Sequence, residues 1–98
     1  MTRIVLSPGL AEDFARILDH LDRHEVAQRE ERIAGILHAV DVLADNPLIG
    51  RTQAGGLREL IVGREGRGYV ALYRYLNEFD TILILAIRGQ REAGYSHE

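Results

Sequence analysis

The chain has no cysteine and no lysine, and it has only two prolines. Without cysteine there can be no disulfide, thiolate metal site or thiol nucleophile. No stretch approaches the ~20 consecutive apolar residues that cross a bilayer. The opening MTRIVLSPGL also lacks an apolar core of signal-peptide length. A cytoplasmic protein is the default expectation. A strongly basic balance is missing too: the net charge is −3, which argues against a chain that binds nucleic acid by itself. With 98 residues there is room for one domain, 1–98, and no second core. Every one of the twelve basic residues is arginine. The planar guanidinium fork suits phosphate and carboxylate. Because the preference extends to plain surface positions, it reads first as coding composition.

What is present has a clear order. Arg3–Leu6 (RIVL) is a short β-branched run and predicts a first strand. Ser7-Pro8 then reads as a helix start, with serine as N-cap, proline at the first helical position, and Glu12 and Asp13 favoured by the dipole. Leu10, Phe14, Ile17, Leu18 and Leu21 recur at helical spacing, and this helix should end near His24. A second helix is expected from about Val26 to Asp45, with its stripe at Ile33, Ile36, Leu37, Val40, Leu43 and Ala44. Gly35 inside it implies close packing on the first helix, and Asn46-Pro47 stops it. The short connection predicts an antiparallel hairpin.

After a loop from Leu48 to Gly56 come LRELIV, YVALYRYL and TILILAIR, separated by GREGRG and NEFD. Gaps this short join antiparallel neighbours, because a parallel return needs a long crossover. The expected fold class is therefore α+β: an N-terminal strand, a helical hairpin, then a three-stranded antiparallel meander with the helices on one face. The third strand of the chain alternates Tyr69, Ala71, Tyr73 and Tyr75 against Val70, Leu72, Arg74 and Leu76. The last is apolar on both faces, which fits a central strand.

His20 and His24 stand four apart, but no acidic third ligand follows, so they read as surface histidines and no metal is expected. GREGRG is not a phosphate loop, since no Lys-Ser/Thr or helix N-terminus follows it. Arg64 and Arg67 at its tip are candidate contacts. Arg58, Arg74, Arg88 and Arg91 with Tyr73, Tyr75 and Tyr95 could form an RNA-binding surface of cations and stacking rings. Cleavage without a metal also needs a base and an acid. The meander offers no histidine or lysine, and Glu59, Glu65 and Glu92 remain as carboxylates near its arginines. The set reads as a binding surface with no catalytic residue and no cofactor.

The stretches LSPGLAEDFARIL, NPLIGR, LRELIVGREGRGYVALYRY and ILILAIRGQREAGY, in this order and spacing, resemble the RelE/ParE superfamily of toxins from bacterial type II toxin–antitoxin systems. RelE-like members are ribosome-dependent endoribonucleases that cut mRNA. Their basic strand positions fall here near Glu59, Ile61 and Val70, and only Arg91 and Tyr95 remain. NPLIGR, LREL and the closing RE-x-GY look more like ParE. Many relatives carry a histidine near Arg88 or Gly89, where this chain has none. The resemblance implies a toxin that inhibits DNA gyrase by binding, with growth arrest as the result. It also implies a cognate antitoxin (ParD-like or similar) that neutralises it. Target-contact candidates are Arg58, Arg64, Arg67, Arg88, Arg91 and Tyr95. Antitoxin-contact candidates are Phe14, Leu18, Tyr73 and Tyr75, the tyrosines being placed on an exposed strand face. The alternative is a RelE-like mRNA interferase.

Overall fold

The computed structural model describes residues 2–23, 29–63, 68–92 and 94–95. In chain order the elements are β1 (Arg3–Leu6), α1 (Leu10–Arg23), α2 (Arg29–Asp45), β2 (Arg51–Thr52), β3 (Leu57–Val62), β4 (Tyr69–Leu76) and β5 (Thr81–Gly89). The architecture is α+β, with two helices packed against a five-stranded sheet of order β1-β5-β4-β3-β2. The expected meander is present as β3, β4 and β5, joined antiparallel. Two features enlarge it. β1 pairs in parallel with β5, Arg3 opposite Thr81 and Leu6 opposite Ile84. The two-residue β2 pairs antiparallel with β3 at the far edge. β5 thus has a strand on each side, which accounts for its continuous apolar run. Residues 24–28, on which the start of the second helix at Val26 and the hairpin connection were read, lie outside the described residues. No helix among the described residues is long and apolar enough to cross a membrane.

Paired residues of an antiparallel ladder project to the same face, so register assigns the faces. Tyr69, Ala71, Tyr73 and Tyr75 share theirs with Leu60 of β3 and with Ile82, Ile84 and Ile87 of β5. That face lies under the helices. Leu10 and Ile17 of α1 and Ile36, Val40 and Leu43 of α2 close the core with Ala71, Tyr73 and the three isoleucines. Ile82 and Ile84 are two apart, but Ile87 is three further on. The register shift between Leu72 and Tyr73 leaves Leu85 as the extra residue and turns the later part of β5 over.

Three sequence expectations are corrected here. The tyrosine face of β4, expected to be exposed, is an inner face, and Tyr73 is a fully buried core residue. Ser7 does not cap α1 with its side chain. The first turn is instead closed by backbone bonds, Leu10 N–H to the Ser7 carbonyl at 3.1 Å and Asp13 N–H to the Gly9 carbonyl at 3.3 Å. Gly35 is exposed, and a Cβ there would meet nothing within 4 Å. Leu37, expected in the apolar stripe, is also 48% exposed. Gly35→Ala should therefore stabilise the chain by about 0.5–1 kcal/mol through helix propensity and unfolded-state entropy. A raised urea midpoint checks this. A lowered one would mean that the glycine has a tertiary role.

Candidate functional site

Beyond Ile84 the outer edge of β5 has no strand beside it among the described residues, because β1 ends at Leu6. An open edge strands backbone donors and acceptors. Here side chains from the start of the chain meet them. Ser7 Oγ donates to the Leu85 carbonyl at 2.9 Å, which takes up the carbonyl of the extra residue. The Ile87 N–H donates to Asp13 Oδ2 at 2.9 Å, and Arg16 Nη2 donates to the Ile87 carbonyl at 3.1 Å. Asp13 is fully buried, in line with Leu10 and Ile17. The buried stripe of α1 thus includes a carboxylate where the apolar pattern points to Phe14 and Leu18, both half-buried. Arg16 Nη1 holds the other oxygen of Asp13 at 2.8 Å.

The same guanidinium reaches the C-terminal segment. Arg16 Nε and Nη2 bind Glu92 Oε1 and Oε2, each at 3.0 Å, in a fork-to-fork pair. The Gly89 N–H donates to Glu92 Oε2 at 2.9 Å. Burial pushes the Glu92 carboxyl up, but the Arg16 hydrogen bonds, the Gly89 N–H and the Arg16 charge outweigh it and leave the pKa lowered. A carboxyl whose folded pKa is depressed stabilises the fold above its unfolded pKa of roughly 4.3. That contribution is lost as pH falls through the folded value. The Glu92 side chain is 40% exposed, so screening holds the difference between wild type and Glu92→Gln to about 1 kcal/mol or less. Urea midpoints of the two chains should differ at pH 7 and converge toward pH 3. A gap that persists at pH 3 would exclude the ionic origin.

On the outer face of the sheet, Glu59, Leu72 and Ala86 share one row, and Ile61, Val70 and Arg88 the next. Val70, Leu72 and Ala86 are buried on this side. Tyr95 spans these rows. Its hydroxyl donates to Glu59 Oε2 at 2.5 Å, and the Arg88 guanidinium carbon lies 5.1 Å from its ring centroid. Burial first, and then the hydrogen bond to Glu59, push the Tyr95 pKa far up. Arg88 Nη1 also donates to the carbonyls of Gly89, Gln90 and Glu92, at 3.0, 3.2 and 3.3 Å. Glu59 further pairs with Arg51 across β2 and β3 at 3.6 Å.

Arg58, paired with Tyr73 in the ladder, points to the other face. Its Nη1 donates to the carbonyls of Leu48 and Gly50, at 3.0 and 2.8 Å. It fastens the loop after α2.

The structure therefore divides the six arginine and tyrosine candidates. Arg88 and Tyr95 meet in one cluster, to which Glu59 adds a carboxylate. Arg58 serves a different loop on the opposite face. Arg91 is exposed near the cluster in sequence. Arg64 and Arg67 lie outside the described residues. Asp13, Arg16 and Glu92 were not recognised as a connected set from sequence. The signal available was Asp13, three residues after Leu10 and four before Ile17, on the line that buries. Among the described residues no group of three or more histidines and carboxylates could hold a metal.

The cluster joins an acid, a phenol with a raised pKa and a cation already bound to backbone. This set can present a shaped, charged surface. Its carboxylate, Glu59, is engaged by Tyr95 and Arg51. The family model described as the ParE toxin of type II toxin-antitoxin system, parDE, matches residues 4–94. No curated protein matches the chain. The matched span takes in both helices and all of the strands but Arg3 at the start of β1, and the chain belongs to the ParE toxin family of type II toxin–antitoxin systems.

Proposed function

We propose that the chain arrests growth by binding and inhibiting DNA gyrase, with no chemistry of its own, and that a cognate antitoxin neutralises it. Membership of the family implies such an antitoxin. The observation that carries the binding reading is the Glu59–Tyr95–Arg88 cluster. An RNase of the RelE kind needs cations directed at a phosphate in transition and a group ready to take a proton. Here the phenol is held by a carboxylate, and the arginine is turned onto the ring and onto three carbonyls. Arg91, exposed beside them, is the candidate for direct target contact, with Arg64 and Arg67. Arg88 and Tyr95 hold that surface in shape, while Arg58 fastens the loop on the opposite face. Phe14, Leu18 and Tyr75, each half-buried, remain the candidates for the antitoxin.

The test uses purified chain with gyrase and, separately, with a translating extract. Supercoiling should fall and cleaved DNA should accumulate, while mRNA stays intact. Arg91→Ala should raise the half-inhibitory concentration roughly tenfold, the scale of an arginine hot spot. Untouched supercoiling at concentrations that stop growth would remove the gyrase assignment. Cuts in mRNA that require ribosomes would install the endoribonuclease reading in its place.

A further inference from the structure

The loop from Asn46 to Gly50 is held from beneath by almost all of its backbone. Tyr73 Oη accepts the Gly50 N–H and donates to the Pro47 carbonyl, both at 2.9 Å. Arg58 takes the Leu48 and Gly50 carbonyls. The Ile49 N–H donates to the Asn46 carbonyl at 3.1 Å. What the loop presents outward is two adjacent aliphatic side chains, Leu48 and Ile49, 61% and 54% exposed. They border an open groove of about 480 Å³ that Pro47, Tyr75, Asn46 and Asn77 complete. Phe79, two residues after Asn77, is 72% exposed. A loop needs no large aliphatics for its own stability, and an ordered backbone carrying them has already met much of the entropy cost of binding.

Arg58, the cation beneath the loop, is turned onto the Leu48 and Gly50 carbonyls, and the residues that flank the lining in sequence are acidic. Asp45 precedes Asn46, and Glu78 follows Asn77. Both are exposed, and neither has an ion-pair partner among the described residues. We infer that this groove is a docking surface for a segment of a partner protein whose aliphatic side chains are flanked by lysine or arginine. The acids would oppose an anionic membrane surface. A two-fold contact between copies would bring the same acidic patch against itself. The groove lies at the Leu76–Thr81 end of the sheet, whereas Arg88 and Tyr95 lie toward the other end. The inference is therefore independent of how the target is bound.

The probes are two synthetic amphipathic peptides of one leucine pattern, one with lysine and one with glutamate at the polar positions. Each is titrated into the full ¹⁵N-labelled chain. The lysine peptide should shift amides around Leu48, Ile49 and Asn77 and bind at least tenfold more tightly than the glutamate peptide. Leu48→Ser with Ile49→Ser, both at the surface, should abolish the shifts without changing the circular dichroism spectrum. Asp45→Lys with Glu78→Lys should reverse the peptide preference. Equal binding of both peptides, binding of neither, or shifts confined to other faces would overturn the inference. Concentration-dependent self-association through Leu48 and Ile49 without peptide would also overturn it, in favour of a second copy.

Discussion

Replacing Asp13 with alanine should lower the stability of the free chain by about 2–4 kcal/mol. The carboxylate is fully buried and has two duties. It accepts the Ile87 N–H where β5 has no neighbouring strand, and it balances Arg16. Its removal leaves a buried donor unpaired, and that group keeps its whole desolvation cost. The stranded cation matters less, because Arg16 retains the Glu92 fork and its side chain is 32% exposed. Asp13→Asn separates the two terms. An amide oxygen can still receive the Ile87 N–H, but the charge is gone, so this variant should recover roughly half of the loss. For a domain of this size the alanine variant should melt roughly 10–25 °C lower. The measurement must use chain free of partner, since any ligand of the native state masks the deficit. A loss under ~1 kcal/mol for alanine would mean that water replaces the carboxylate at the β5 edge.

Gly50→Ala and Tyr73→Phe should each cost about 1–3 kcal/mol, and together clearly less than their sum. A Cβ at position 50 would stand 2.6 Å from the Tyr73 hydroxyl oxygen and 2.6 Å from Cε1 of its ring. The ring is sealed in the core and cannot retreat. Removing the hydroxyl instead leaves the Gly50 N–H and the Pro47 carbonyl without their partner. Once the hydroxyl is absent, the alanine meets less of the ring, so a double-mutant cycle should show a favourable coupling. Strict additivity would mean that the loop lifts away in both single variants.

The meander was readable because each strand has a period-2 or continuously apolar run bounded by turn residues, as in Leu57–Val62 and Thr81–Gly89. β2 was not, since Arg51–Thr52 is too short to show any period. β1 could be seen as a strand, but nothing local identifies β5 as its partner. Asp13 was missed for a physical reason: an acid in the first helical turn already has a sufficient local explanation in the dipole. Arg58 and Arg88 were visible as cations, but the face each takes depends on ladder register. Arg58 follows Tyr73 inward, while Arg88 follows Val70 outward. The tyrosine face was misassigned because a row of half-polar rings can line a core or a surface. Burial of Tyr73 under both helices, with its hydroxyl satisfied by a loop, decides between them.

The parallel pairing of β1 with β5 also sets when the fold can be completed. Thr2 and Asp80, 78 residues apart, are joined by a hydrogen bond, and Arg3 N–H reaches the Asp80 carbonyl. The strand that closes the sheet is inserted between the first strand and the fourth. No portion of the chain emerging during synthesis can complete the core until Gly89 has cleared the ribosome's exit tunnel. Contacts of such long sequence separation also form late and slowly. Until β5 is made, β1 has no partner strand among the described elements, and the apolar stripe of α1 has only part of the surface it packs on.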